Sequence, residues 1–236
     1  MRYLHLGSTT IQSAMRLVRP NDLELSYTRC MLAFLLFVPE PARVLLIGLG
    51  GASLARYIHH RLPAARITAV EINPRVVAAA RQFFALPDDP SRLQVEITDG
   101  VEYVRGRKDI ADAIMIDGFG AEEGAPELAT ESFYRDCRQA LGENGVLVTN
   151  LFTRDKALTR YLHLIETVFE GRILRITDEH KGNLIAFGFV RGQHEPIWKT
   201  LRRRAKKLAA IYGLEFPAFV EELERLNRRD RHRLFI

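Results

Sequence analysis

Cysteine is almost missing from this chain: Cys30 and Cys137 are the only two in 236 residues, and they stand far apart. Neither a disulfide framework nor a cysteine metal cluster is indicated. The histidines, among them the pair His59-His60, show no metal-ligand spacing, so no metal is expected. Long hydrophobic runs are missing too. The longest, Met31 to Val38, stops at Pro39, well short of the roughly 20 residues that a membrane helix needs. The first apolar residues are interrupted by His5, Gly7 and Ser8, which is not the layout of a signal peptide. A cytoplasmic protein with no membrane attachment is the expectation. Internal repeats and low-complexity segments are absent, and the single Trp198 is assigned to packing.

An excess of one charge is also lacking over most of the chain. The net charge is +5, and all of it resides in residues 201–236. There Arg202-Arg203-Arg204 and Lys206-Lys207 cluster. Such a cluster can bind nucleic acid or an acidic partner, but a solvated helix face is the favoured reading. What the chain does have is apolar bulk: 47% hydrophobic residues, enough for one full-sized domain with modest additions.

The stretch Arg43 to Arg56 organises that domain. Val44 to Ile47 form an apolar run of the kind buried on both faces of a sheet. Gly48, Gly50 and Gly51 follow, and a helical pattern starts near Ser53. Strand, glycine turn and helix together bring backbone N–H groups up to a ligand. A second apolar strand, Arg66 to Val70, ends in Glu71, placed to accept hydrogen bonds from ribose hydroxyls.

In chain order, residues 3–28 read as a β-hairpin followed by a turn at Arg19-Pro20-Asn21-Asp22, and residues 26–38 read as a helix. From 43 to 190 strands and helices alternate. The pattern predicts strands near 43–47, 66–71, 93–97, 112–117, 145–150, 172–176 and 184–190, and helices near 53–61, 73–84, 101–105, 131–141 and 155–169. Asn73-Pro74 is a helix start. Gly142 suits the stop of the 131–141 helix. The last two strands lack a crossover helix and pair antiparallel. The fold class expected is therefore α/β: a Rossmann-like class I methyltransferase-type sheet of seven strands. Residues 1–40 form an N-terminal hairpin region, 41–192 the methyltransferase-type domain, and 193–236 a basic helical extension.

Ligands in such sheets bind beyond the carboxyl ends of the strands. Asp99-Gly100 closes the third strand, where a carboxylate can accept from an adenine amino group, and Asp117-Gly118 closes the fourth, facing the middle of the crevice. Glu122 and Glu123 lie in the loop beyond. A carboxylate such as Asp117 can accept a proton from an ammonium, and Tyr27 can favour a cation by its ring face.

Taken together, Ile11-Gln12-Ser13, Glu24-Leu25-Ser26-Tyr27, Val44 to Gly51, Val70-Glu71-Ile72, Asp99-Gly100, Ile116-Asp117 and Glu131-Ser132-Phe133-Tyr134 resemble the spermidine synthases (polyamine aminopropyltransferases). The resemblance implies transfer of an aminopropyl group from decarboxylated S-adenosylmethionine to an amine, as in polyamine biosynthesis, by a homodimer. It implies that Gln12 and Tyr27 wall the site, Glu71 holds the ribose, Asp99 and Gly100 hold the adenine, and Asp117 helps deprotonate the amine. Two positions depart from the family. Its Gly-Gly-Gly-Asp-Gly turn has an Asp where this chain has Gly51, and a second Asp, three residues after Asp117, is Gly120 here. Glu122 or Glu123 is a candidate replacement at the substrate end. Glycine at 51 removes a repulsion toward the carboxylate of intact S-adenosylmethionine and leaves a backbone N–H at that place. Intact S-adenosylmethionine is therefore expected to bind at least as well as the decarboxylated form. The alternatives are an S-adenosylmethionine-dependent methyltransferase and a non-catalytic ligand- or nucleic-acid-binding relative.

Overall fold

The structure, a computed structural model, describes residues 1–5, 7, 11–118, 126–192 and 196–236. Glu122, Glu123 and Gly120 lie outside the described residues.

The N-terminus is a small antiparallel hairpin, β1 (Arg2–Leu4) and β2 (Ser13–Met15). Helix α1 (Ser26–Met31) then continues as a 3-10 helix over Leu32–Leu36. One α-helix over 26–38 was expected. The tighter turn falls where every residue from Met31 to Phe37 is buried, so no polar face remains to carry an amphipathic α-helix onward.

The main sheet is built from β3 (Arg43–Ile47), β4 (Arg66–Glu71), β5 (Leu93–Ile97), β6 (Ala111–Ile116), β7 (Leu141–Phe152), β8 (Ile173–Thr177) and β9 (Asn183–Phe189). Its order is β5-β4-β3-β6-β7-β9-β8. The five strands from β5 to β7 run parallel, whereas β9 is antiparallel to both β7 and β8. This is the seven-stranded arrangement with an antiparallel end that the missing crossover helix predicts. The connecting helices are α2 (Ser53–Arg61), α3 (Pro74–Phe83), α4 (Gly100–Val104), α5 (Glu131–Ala140) and α6 (Leu158–Val168). Asn73 caps α3 as expected, its Oδ1 accepting the Arg75 N–H at 2.9 Å.

Alternation along β3 shows how both faces are covered. Val44 and Leu46 join the core under α2, α7 and α8, while Leu45 and Ile47 join the core under α5 and α6. Gly142 does not stop α5. The helix ends at Ala140, Leu141 is already extended, and Gly142 lies inside β7. Residues 142–145 form an irregularity there: Ala111 pairs with Leu141 and Ala113 with Val146.

The C-terminal extension consists of α7 (Trp198–Tyr212) and α8 (Phe216–Leu226), separated by Gly213 at φ +70°. Both bury apolar stripes in the first core. Part of the basic cluster is engaged within the chain. Arg202 pairs with Glu224 at 2.7 Å, and Arg204 donates to the Leu36 carbonyl. Arg203, Lys206 and Lys207 face solvent. Among the described residues no helix is long and apolar enough to cross a membrane.

Candidate active site

The carboxyl ends of β3, β4 and β6 are tied together at the glycine turn. The Gly48 N–H donates to the Val70 carbonyl at 2.8 Å, and the Asp117 N–H donates to the Ile47 carbonyl at 2.9 Å. Gly48 sits at φ +95°, and a Cβ there would stand 2.4 Å from the Asp117 carbonyl oxygen. Only glycine lets these strand ends meet. Glu71 braces the same turn: Oε2 accepts the Leu49 N–H at 3.0 Å and Oε1 accepts the Asn73 N–H at 2.9 Å. Each oxygen keeps a second lone pair for a ligand hydroxyl.

The other side of the turn is closed by the hairpin. Ser13 Oγ accepts the Gly51 N–H at 2.8 Å. A Cβ on Gly51 would lie 2.7 Å from Ser13 Cβ and 3.0 Å from Phe84 Cδ1. The N–H expected to remain for a donor carboxylate is therefore already used, because β2 packs directly on the turn. Gly50, at φ +51°, is approached by Ser13 Oγ as well. Beneath the turn Arg56 is 1% exposed; it donates to the carbonyls of Gly51, Phe84 and Pro20 and so clamps the glycine turn, the end of α3 and the Arg19–Asp22 turn. Burial lowers its pKa to about 10, which leaves it charged at neutral pH.

Asp117 follows β6 directly and is held at both oxygens. Oδ2 accepts the Tyr27 hydroxyl at 3.1 Å, and Oδ1 accepts Asn150 Nδ2 at 2.9 Å. No cationic side chain pairs with it among the described residues. Burial raises its pKa, opposed by the hydrogen bonds from Asn150 and Tyr27. Tyr27 is pushed well above the ordinary phenol range by burial first and by the Asp117 charge second, so its hydroxyl stays protonated and donates. The same hydroxyl is 3.5 Å from the Gln12 carbonyl oxygen. Thus Tyr27, Gln12 and Asp117, distant in sequence, converge beside Gly48.

Asp99 and Gly100 stand one strand further out. Asp99 Oδ1 caps α4 by accepting the Val101 N–H at 2.7 Å. Gly100 is buried against β3, where a Cβ would stand 2.5 Å from Ile47 Cγ2. Sequence reasoning assigned no role to Ser13, Arg56 and Asn150. Two of them carried a signal: Asn150 is an amide near the end of a strand run that is mostly apolar from Val146 on, and Arg56 is a charge on the apolar face of α2.

Comparison with known proteins is consistent with this geometry. Residues 24–168 match the family model described as the spermine/spermidine synthase domain. A polyamine aminopropyltransferase of Chromobacterium violaceum is 42% identical over 236 residues, spanning all of this chain and 90% of that protein. The crystal structure of human methyltransferase-like protein 13 in complex with SAH covers 80% of this chain and 93% of its own at TM-score 0.72 and 26% identity. A probable spermidine synthase from Corynebacterium glutamicum shares the fold at TM-score 0.74 and 21% identity, over 94% of this chain and 86% of that one. The chain belongs to the spermine/spermidine synthase family of transferases.

Proposed function

We propose that this transferase moves an aminopropyl group from decarboxylated S-adenosylmethionine to an amine, with Asp117 taking the amine's proton. One observation supports this reading most directly. A carboxylate at the end of β6, beside the glycine turn, is held at both oxygens by neutral donors and pairs with no cation among the described residues.

A carbon bonded to a sulfonium is already electrophilic. The protein must supply a nitrogen with a free lone pair, in line with the C–S bond. Amines near neutral pH are mostly ammonium ions, so a proton must leave first. Asp117 can orient the ammonium and accept that proton. As the nitrogen attacks, the C–N bond forms and the C–S bond breaks. Its electron pair neutralises the sulfonium, and a thioether nucleoside departs. The product leaves as a secondary ammonium ion, and the one proton held on Asp117 passes to solvent before the next turnover. Burial makes Asp117 a stronger base than a solvated carboxylate. Tyr27 stays a donor and offers its ring face to the cation.

In this reading Glu71 holds the ribose with its spare lone pairs, Gly48, Gly50 and Gly51 let the strand ends and the hairpin close into the turn that borders the donor, and Asp99 with Gly100 borders the adenine. Ile72 and Ile97, 67% and 55% exposed at the ends of β4 and β5, supply an apolar platform for the base. Gln12 and Tyr27 wall the acceptor side, and Glu122 and Glu123 remain the candidates for gripping the far end of the acceptor. A homodimer is part of the proposal and is checked by light scattering.

The second reading is methyl transfer from intact S-adenosylmethionine. It is favoured by the likeness to the methyltransferase-like structure holding SAH, and by the lack of any carboxylate at position 51 to repel the intact donor. Incubation of each donor with a panel of mono-, di- and polyamines, followed by mass spectrometry, separates the two. Aminopropylated amine from the decarboxylated donor supports the first reading; methylated product from the intact donor alone would replace it with the second.

A further inference from the structure

Asp178, which no motif singled out, follows β8 and is 4% exposed. Its Oδ2 accepts the Ser26 hydroxyl at 2.6 Å, and its Oδ1 accepts the Asn183 backbone N–H at 2.9 Å. No Lys, Arg or His pairs with it among the described residues. Its chain neighbour Glu179 pairs with Arg29 at 3.2 Å and with His180 at 3.3 Å, and the Asp178 charge reaches the Cys30 thiol on α1, as do the charges of Glu179, of Glu215 and of Arg29, which pairs with Glu215 at 2.8 Å. A buried carboxylate without a counter-charge is costly. Closing the β8–β9 turn uses only the Oδ1 contact to Asn183; the Oδ2 contact to Ser26 reaches beyond the turn to α1.

What this carboxylate holds leads back to Asp117 by two routes. Ser26 opens α1 and immediately precedes Tyr27, the donor to Asp117 Oδ2. Asn183 opens β9, and its Nδ2 donates to Asn150 Oδ1 at 2.8 Å. Asn150 Nδ2 then donates to Asp117 Oδ1 at 2.9 Å. An amide side chain can present either its oxygen or its nitrogen. With Asn183 donating to the oxygen of Asn150, the nitrogen is the end that faces Asp117. The orientation of both donors on Asp117 thus traces to one buried anion.

We propose that Asp178 is a positioning residue for the transfer reaction: through Ser26 and Asn183 it fixes Tyr27 and Asn150 so that both donate to Asp117. This rests on the reading of Asp117 as proton acceptor. Loss of Asp178 leaves Asn150 free to turn and α1 free to shift. Asp117 then loses hydrogen bonds that favour its carboxylate form, and the acid limb of the kcat–pH profile moves to higher pH.

The test uses the full chain with decarboxylated S-adenosylmethionine and the best acceptor from the amine panel. Asp178→Ala is expected to lower kcat roughly tenfold, the equivalent of about one net hydrogen bond. The acid limb should move up in pH while donor affinity by calorimetry stays within about twofold. Asp178→Asn, which can still accept the Asn183 N–H, should recover most of the lost rate. Asn183→Ala cuts the link to Asn150 while leaving the backbone contact of Asp178 intact, so it decides the matter if Asp178→Ala does not fold; it should move the limb in the same direction. Asp117→Asn is measured alongside. Wild-type turnover in Asp117→Asn would overturn the reading of Asp117 itself. An inactive Asp117→Asn with an unmoved acid limb in Asp178→Ala and Asn183→Ala would overturn the positioning role alone.

Discussion

Tyr27→Phe isolates one hydrogen bond on the proposed base. It keeps the ring that packs between the hairpin and the crevice and removes only the hydroxyl that donates to Asp117 Oδ2 at 3.1 Å. A hydrogen bond to a charged group contributes about 1.5–3 kcal/mol. The distance is at the long end for an O–H donor, and Asn150 remains on Oδ1, so the lower part of that range applies. At about 1.4 kcal/mol per decade, kcat on the acid side should fall roughly tenfold. The sign follows from the causes of the Asp117 shift. Burial raises its pKa and the Tyr27 bond lowers it, so removing that bond raises it further. The carboxylate then forms only at higher pH. Wild type and variant should differ most at low pH and approach one another on the alkaline plateau. The assay is a steady-state kcat–pH profile at saturating donor. An acid limb that stays in place, or moves to lower pH, would refute the assignment of that limb to Asp117.

Other outcomes follow from the same geometry. Because its folded pKa is raised, Asp117 adds stability below the unfolded carboxylate pKa and loses it as pH rises through the folded value. Asp117→Asn should therefore melt higher than wild type at neutral pH, by about 2–4 °C per kcal/mol, and the difference should vanish on acidification; a lower neutral Tm would contradict this. Gly51→Asp should not simply switch donor preference, since its Cβ would meet Ser13 and Phe84. Calorimetry should show both donors weakened together, with an overpacking cost of about 1–3 kcal/mol in stability; a selective gain for the decarboxylated donor at unchanged Tm would show that the hairpin yields freely. Cys30, pushed up to about 12 mainly by burial, and the fully buried Cys137 should resist thiol reagents in the native state and react on unfolding.

The sheet was legible because each strand announces itself locally. The strands expected at 43–47 and 66–71 are built on apolar runs with turn residues after them, and the observed bounds Arg43–Ile47 and Arg66–Glu71 match. The 172–176 and 184–190 pair could be read as antiparallel because six residues cannot hold a crossover helix. The meeting of the glycine turn and Asp117 at the carboxyl ends of β3 and β6 was legible for a related reason: each follows directly on an apolar strand run, and parallel strands bring such ends together. What stayed hidden depends on which segments meet in space. Nothing near Gly51 in sequence says that Ser13 takes its N–H. Asn150 and Asn183 contact each other through the antiparallel register of β7 and β9, and Asp178 enters only through that pair. Gly142 looked like a helix stop because a local pattern cannot say that β7 begins one residue after α5 ends.

The most direct measurement is product analysis by mass spectrometry, with decarboxylated S-adenosylmethionine and the amine panel, for the wild-type and Asp117→Asn proteins side by side. The account predicts an aminopropylated amine and a thioether nucleoside in equal amounts from the wild type, and turnover about 10²–10⁴-fold lower in Asp117→Asn with donor affinity retained. Absence of any aminopropylated amine from the wild type, or undiminished turnover in Asp117→Asn, would contradict it.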